Sequence, residues 1–477
     1  MNKFKGIFLL SIGLLLAGSA LLFAGDSGFT SFGDGASASP LSWSGTGSVH
    51  TRYMTDYNDI SASGITLCPE LKMSLNYKGE ASDFTGSFTL SGNHDFTSST
   101  DVADYLSRMI DEAYYRVFFK HFTLEAGLMK IVWGKGDEIF TFDNINPVDY
   151  SDFMNNSYLD RKMPEAMIKI DIPFGQQGLI EALYTPVFTP DVFPVTGAWV
   201  QKDYTAMEAI ISGKMKSYVV SRTAALGNDL AASIQAQSEA ASLAADTLNK
   251  EDMKTLAHGQ GGLHVTDSFG GIDLGAAYEY TYLREPVVDM RAFMVDPTQK
   301  IDVTWNRLHL FGVEAATALG GFNFRAEGAY YLTEDTSGDD PVVHNNKLQY
   351  LFGFDRDLPL HNISINIQTR GEIILGSNNI KTNGTGDVEY SASDSYTSTV
   401  IAADLRDTFF NDTLTLKVSG AYSIGSKDYM LTPGLEYTLK DDASVLIKYS
   451  LFRGDTDTVF GQFKDNDMLD VTFQYSF

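Results

Sequence analysis

Leu469-Asp470-Val471-Thr472-Phe473-Gln474-Tyr475-Ser476-Phe477 closes the sequence in strict alternation. Leu469, Val471, Phe473, Tyr475 and Phe477 are apolar. Asp470, Thr472, Gln474 and Ser476 fill the gaps. A period of two makes a strand with one greasy face and one wet face. At the other end, residues 1–24 have the layout of a secretory signal. Lys3 and Lys5 precede a stretch, 6–23, that is apolar apart from Ser11 and Ser19. Cleavage is expected after Ala24, with Ala20 as the alternative. An exported chain with such a last strand is expected to close an outer-membrane barrel on it.

Working back from that strand, alternation recurs at 272–282, 322–331, 363–375, 414–424 and 445–452. In 363–375 one face carries Ile363, Ile365, Ile367, Ile373 and Leu375. The other carries Ser364, Asn366, Gln368, Arg370 and Glu372. About eighteen such segments are expected, each as long as a tilted membrane strand, with sixteen as the alternative count. The joints carry a second signal. Short ones fall at 78–82, 120–122, 174–178, 268–271, 319–321, 358–362, 410–412 and 440–443. Long polar ones fall between them, at 57–64, 94–107, 134–163, 188–258, 284–303, 333–345, 376–395 and 454–464. The exception is 425–428, short where a long loop is due. Short periplasmic turns alternating with long outer loops define an up-and-down transmembrane barrel. A soluble sandwich has no reason to keep that parity.

The expected organisation is a signal at 1–24, a periplasmic leader at 25–42 rich in Gly, Ser, Ala and Asp, and a barrel from 43 to 477. Outside the signal, no segment reaches the roughly 20 apolar residues of a spanning helix. A membrane-crossing chain must then satisfy its backbone as a closed barrel. A mean hydropathy of -0.11 accommodates this, because polar lumen residues dilute the signal. The 24 Tyr and 31 Phe supply aromatic girdles for two interfaces. A net charge of -26 argues against nucleic acid and anionic lipid headgroups as partners. Cys68, the single cysteine, reads as a packed thiol.

Two loops stand out. In 188–258, the stretch 221–254 is rich in Ala and Ser and has no aromatic residue. Leu226, Leu230 and Ile234, then Ala241, Ala245 and Leu248, follow helical spacing, although Gly227 falls at its start. A helix is expected there, either plugging the pore or standing outside as a cap. The other loop, at 127–153, is denser in information. Trp133-Gly134-Lys135-Gly136-Asp137-Glu138 leads to Asp143-Asn144-Ile145-Asn146-Pro147-Val148-Asp149-Tyr150. Pro147 biases Asn146 toward extended backbone, and Asp143, Asn144 and Asp149 suit local backbone bonding. Long loops without elements of their own are usually functional or disordered, and the aromatics here argue for order.

The Trp133-Gly134-Lys135-x-Asp137 run, followed by Asp143-x-Ile145-Asn146-Pro147-x-Asp149, resembles a signature of largely uncharacterised bacterial outer-membrane barrels. The run 184–190 (Tyr-Thr-Pro-Val-Phe-Thr-Pro), with Phe193-Pro194 and Trp199, resembles the next block of that group. Alginate-export porins are similar at a greater distance. Gly136 stands where the pattern commonly has a larger residue. The resemblance implies that the loop folds inward and shapes the pore. Trp133, Lys135, Asp137, Glu138, Asp143, Asn146, Pro147 and Asp149 are therefore the candidate pore-loop residues. Asp143 and Asp149 read first as braces; Lys135 serves either role.

Strand parity places Glu112, Arg116, Glu125, Asp273, Glu279, Arg325, Glu327, Arg370, Glu372, Lys417, Glu436 and Lys448 toward the lumen. A basic residue on the lipid face near the midplane would cost roughly 2–4 kcal/mol. Arg116 with Glu125, and Glu436 with Lys448, flank their turns and are expected as cross-strand pairs. The eight histidines are scattered, and no catalytic set, metal spacing or phosphate loop stands out. The sequence thus predicts a non-enzymatic channel for small polar solutes, without cofactor or metal. Its expected partners are outer-membrane lipid, the solute and the barrel-assembly machinery, which would read the last strand. A mild cation preference follows from the acid excess. Alternatives are a surface structural or adhesive barrel with a plugged lumen, or a transporter of hydrophobic compounds with an apolar pocket near the loops.

Overall fold

The computed structural model describes residues 40–55, 65–92, 109–137, 139–151 and 157–477. The expected signal, nearly all of the leader, Glu138, and the loops at 57–64 and 94–107 lie outside those residues.

Eighteen strands form the wall. They are β1 (Leu41–Met54), β2 (Thr66–Lys78), β3 (Ser82–Ser91), β4 (Ile110–Phe118), β5 (Thr123–Met129), β6 (Glu165–Phe174), β7 (Gly178–Thr185), β9 (Gln260–Phe269) and β10 (Ile272–Tyr282) in the first half. The second half holds β13 (Arg307–Leu319), β14 (Phe322–Thr333), β15 (Lys347–Asp357), β16 (Ser364–Ile374), β17 (Thr397–Phe409), β18 (Leu414–Ser423), β19 (Tyr429–Lys440), β20 (Ala443–Arg453) and β21 (Met468–Ser476). Each pairs antiparallel with the next along the chain, and β21 closes on β1. The seam runs from Met54 opposite Met468 to Thr46 opposite Ser476, with Gly45 and Phe477 exchanging backbone bonds of 2.9 Å beyond it. The last strand therefore does close a barrel, and the count is eighteen, not sixteen. β1 begins at Leu41, two residues before the expected start.

Alternation decides which face each strand shows. Leu263, Leu274, Phe311, Val313, Phe324, Phe352 and Ile447 are exposed on the outer face. Their neighbours His264, Glu279, Glu314, Glu327 and Leu351 are buried on the inner one. Phe119, Phe122, Phe174, Phe269 and Phe410 are exposed at the short-turn end. Tyr53, Tyr184, Tyr280, Tyr422 and Tyr429 are exposed at the long-loop end. These two rings match the girdles of a bilayer-spanning wall. Among the described residues, no helix is long and apolar enough to cross a membrane. Cys68 sits on β2, partly buried, its Sγ 3.3 Å from the Ser91 hydroxyl.

The helical expectation needs correcting. Instead of one helix at 221–254, the β7–β9 loop holds two. The helix α2 spans Lys202–Ala225 and α3 spans Leu230–Ala245; a short turn, α1 (Tyr158–Arg161), precedes both in the chain. The break falls where Gly227 takes φ +120° and Asn228 φ +59°. The Asp229 carboxylate then caps α3, accepting from the Ala232 N–H at 2.8 Å. Leu230 and Ile234, two of the residues whose spacing pointed to a helix, are exposed. The buried row is Ala232, Ala236 and Ala240. Small side chains let α3 lie close against α2, so size selects the buried face here. Past α3, Leu248 belongs to a strand, β8 (Leu248–Lys250). With β11 (Val287–Asp289) and β12 (Ile301–Thr304), β8 makes a small three-stranded sheet in the loops.

The hairpin stands on outer loops. Met215 and Ala240 pack with Phe293 and Ile301 of the β10–β13 loop. The segment leading to it, 186–201, crosses from β7 to the β20–β21 loop. There Trp199 packs on Phe452, Phe463 and Met468, and Asn466 donates to the Ala198 carbonyl at 2.5 Å. Of the two placements expected for the helical insert, these contacts match the cap.

Candidate functional site

The motif loop lies inside the barrel. It leaves β5 at Lys130, four residues earlier than expected, and returns to the wall at β6. Asn146 ties its two ends together. The Asn146 side-chain oxygen accepts from the Ile131 N–H at 2.7 Å. Its amide donates to the carbonyls of Met129 (2.8 Å) and Met163 (3.0 Å). The Pro147 carbonyl accepts from the Met163 N–H. One buried amide thus satisfies three backbone groups at the mouth of the loop, where the β5–β6 ladder ends.

Glu327, on the inner face of β14, is the main anchor. Its carboxylate accepts from the N–H groups of Lys135 (2.6 Å), Gly136 (2.7 Å) and Thr141 (2.8 Å), and from the Thr141 hydroxyl (2.9 Å). Such charge-assisted bonds are the strong class. The tight course of 134–136 explains the glycines. A Cβ on Gly134, at φ +120°, would lie 2.7 Å from the Glu327 carboxylate. One on Gly136 would lie 1.9 Å from the Ile139 carbonyl oxygen. Glycine at 136 is thus a local requirement of this loop.

Aromatic side chains seat in glycine notches of the wall. Trp133 lies over Gly262 of β9, with its ring 5.1 Å from that of His264; Phe142 lies over Gly312 of β13. Cβ atoms at those glycines would come within 2.6 and 2.5 Å of the rings. Trp133, Phe142 and Ile145 join Met129, Met167, Leu183, Leu308 and Leu310 in the largest apolar cluster.

Charges complete the attachment. Asp143 and Lys162 are both fully buried and pair at 2.6 Å. Lys162 also donates to the Ile131 carbonyl, and the Tyr158 hydroxyl donates to Asp143 at 2.6 Å. Burial pulls the Lys162 ammonium below its ordinary range, and Asp143 opposes that pull. Burial also pushes the Tyr150 phenol up to about 12. Asp143 and Asp149 act as braces: Asp149 accepts from the Ser151 N–H at 2.8 Å and bridges to Val192. Asp137 is half-exposed and bonded to Arg325 and Asn366. Lys135, partly exposed, reaches Glu314 at 3.7 Å.

Ten of the twelve parity assignments fall opposite the exposed apolar residues of their strands; on β4, Glu112 and Arg116 share parity with the exposed Ile110 and Phe118 at the strand ends, with a register irregularity between Ile110 and Glu112. Arg116 and Glu125 pair at 2.9 Å in register, as expected. Glu436 and Lys448 do not face one another. The strand register, which includes a shift between Thr438 and Lys440, sets Glu436 opposite Leu446 and Lys448 opposite Gly434, one diagonal step apart. Glu112 accepts from the Lys130 N–H, Arg370 donates to Gln349, and Glu372 holds Lys347 at 3.2 Å. Asp273 bonds Ser268 at the short-turn end. Glu279 is fully buried beside the loop.

Sequence reading missed several inner groups. His264 bridges Glu181 (2.9 Å) and Glu314 (3.3 Å). Lys169 gathers Glu125, Asp171 and Glu181. Arg284 holds the carbonyls of Asn144, Ile145 and Thr189. Parity applied to β6, β7 and β9 would have found the first two; nothing local marks Arg284 or Lys162.

The two halves of the inner wall differ. From β9 to β16, His264, Glu279, Glu314, Glu327, Gln349 and Gln368 are buried against the loop or one another. From β17 to β20, Arg406, Lys417 and Glu436 are exposed and Asp404 and Lys448 half-exposed. Lys417 and Asp404 pair at 3.4 Å with about half of each side chain open.

The geometry defines a closed eighteen-stranded antiparallel barrel with a loop packed inside it. The chain belongs to the family described as "Protein of unknown function (DUF1302)", matched over residues 76–477. No curated protein matches. Among solved structures the chain is similar to Pseudomonas aeruginosa OccK2 (OpdF) in complex with glucuronate. Identity is 10%, over 91% of this chain and 97% of that one, with a TM-score of 0.46. A refined porin is similar at 10% identity over 92% and 100%, TM-score 0.41. So is a mutant porin of Rh. blastica, at 10% over 92% and 100%, TM-score 0.38. These are likenesses of barrel form alone.

Proposed function

We propose that the protein is a channel of the bacterial outer membrane for small polar solutes. One observation carries this reading. From Trp133 to Ile145 the loop is bonded to the β9–β16 side, while charged groups on β17–β20 stay accessible. Solute would pass between the loop and that opposite wall, selected by width and by the charges it meets. The open wall mixes Asp404 and Glu436 with Arg406, Lys417 and Lys448, which favours polar over greasy solutes. No catalytic role is assigned.

A specific feature favours a second reading, a surface barrel closed to passage: the 186–201 strap and the α2–α3 hairpin stand over the mouth. Planar-bilayer recordings separate the two. The full chain is expected to conduct, and deletion of 202–245 is expected to leave conductance within about twofold, because the hairpin packs on outer loops. Silence from both proteins would defeat the channel reading. Conductance only after deletion would favour the closed barrel.

A further inference from the structure

Arg356 points outward from β15 at the short-turn end of the barrel. It shares the face of Phe352 and Leu348, both exposed to the outside. Its guanidinium lies over the Phe322 ring, 4.3 Å from the centroid. Among the described residues no carboxylate pairs with it, and its Nε is buried without a hydrogen-bond partner. The other charged groups facing out nearby, His361 and Asp407, are bonded to each other at 2.5 Å. Asp355, beside Arg356 in sequence, faces inward and is taken by Arg325.

Immediately above Arg356 the outer wall is recessed. Successive rows of cross-strand neighbours explain the shape. The row at Arg356 includes Phe322 and Ile365. The next holds Thr317, Phe324, Phe354 and Ile367. The third holds Ala315, Ala326, Phe352 and Thr369. Ala315 and Ala326 are directly paired and small, so they make a floor between aromatic walls. The recess measures about 480 Å³ and its lining is almost wholly apolar. A lone arginine facing hydrocarbon is costly at the midplane and nearly free at the headgroup level. Guanidinium matches a phosphodiester in geometry and charge.

We propose that this face binds one glycerophospholipid of the periplasmic-side leaflet, its phosphate on Arg356 and an acyl chain in the recess floored by Ala315 and Ala326. The proposal rests on the bilayer-spanning reading of the barrel. It is independent of whether the lumen conducts, so Arg356→Gln is expected to leave conductance unchanged.

Native mass spectrometry of the full chain refolded in detergent tests it. With dioleoyl-phosphatidylglycerol added, the expected spectrum shows one retained lipid per barrel. Dioleoylglycerol, which has the same tails and no phosphate, should be retained about tenfold less, as should the phospholipid by Arg356→Gln. Ala326→Phe, which fills the floor, should also release it, while Arg356→Lys retains part. Inorganic phosphate should not displace the lipid. Equal retention of the two lipids in the unaltered chain would overturn the phosphate site without recourse to any variant. Displacement by inorganic phosphate would reduce it to a simple anion site. Dimer or trimer peaks that replace the lipid adduct and vanish in Ala326→Phe would assign the recess to a second copy of the chain. Heat-modifiable migration after incorporation into vesicles reports the bilayer-spanning reading separately.

Discussion

Two insertions break the regularity of this barrel, and they are held by opposite means. The 130–163 loop is fixed inside by buried polar bonds and two aromatic side chains seated in glycine notches. The α2–α3 hairpin stands outside, joined by a row of alanines and a partly exposed ion pair, Arg222 with Glu239 at 2.7 Å. Inside the barrel the loop has little water to satisfy its backbone, so each N–H and C=O needs a protein partner. A helix satisfies its backbone internally and can stand in solvent with little help. The contrast accounts for the composition of each: Asn, Asp, Pro and aromatics in one, Ala and Ser in the other.

The largest effect is expected at Glu327. Glu327→Ala leaves three backbone amides of the loop unpaired, at about 1–2 kcal/mol each, and should lower the guanidinium midpoint while raising conductance. Unchanged unfolding and unchanged current would mean the loop is held elsewhere. Lys162→Met comes next. It strands the Asp143 carboxylate in the interior, at a cost of roughly 3–5 kcal/mol. The double replacement with Asp143→Leu should recover most of that in urea unfolding; a double variant as weak as the single one would refute the pairing. Gly312→Ala drives a methyl group against Phe142 and should cost about 1–3 kcal/mol. Its measured signature is a wider single-channel current, and an unaltered current would show that Phe142 can shift without opening the passage.

The smallest effect belongs to the hairpin. Arg222, hydrogen-bonded to it, holds the Glu239 carboxyl down at about 2. A carboxyl whose folded value is depressed stabilises above its unfolded value, and that contribution fades as pH falls from about 4.5 toward 2. Helical circular dichroism should decline over that window, and Arg222→Gln should remove the dependence. A decline of equal size in both proteins would place the acid sensitivity outside this pair.

Much of the wall was legible because strand parity is a repeated signal. Each joint tested the one before it, so the single irregularity at 425–428 did not disturb the count. The loop was legible only as a distinctive string. Its inward course depends on Gly262, Gly312 and Glu327, which lie on distant strands and look ordinary where they stand. Lys162 escaped notice for the same reason: its importance comes from Asp143, nineteen residues away through an irregular path. The first helix, Lys202–Ala225, was missed because Gly213, Val219 and Val220 weaken its local signal. In α3 the spacing of the large apolar residues marked the helix but not its buried face, since close helix packing buries the small Ala232, Ala236 and Ala240.

The position of the loop's anchors along the chain has a consequence for assembly. Lys72 on β2 and Asp111 and Glu112 on β4 hold the two ends of the loop, but the wall groups that seat Trp133 to Ile145, from Gly262 to Gln368, lie on β9 through β16, later in the chain than the loop itself. A curved, still-open sheet that has added β16 already holds the complete seat. β17 through β21 can then join and zip against β1 around a loop already in place. The narrowing of the lumen then requires no threading through a finished cylinder, and the wall left accessible is the one built from the strands nearest the closing seam.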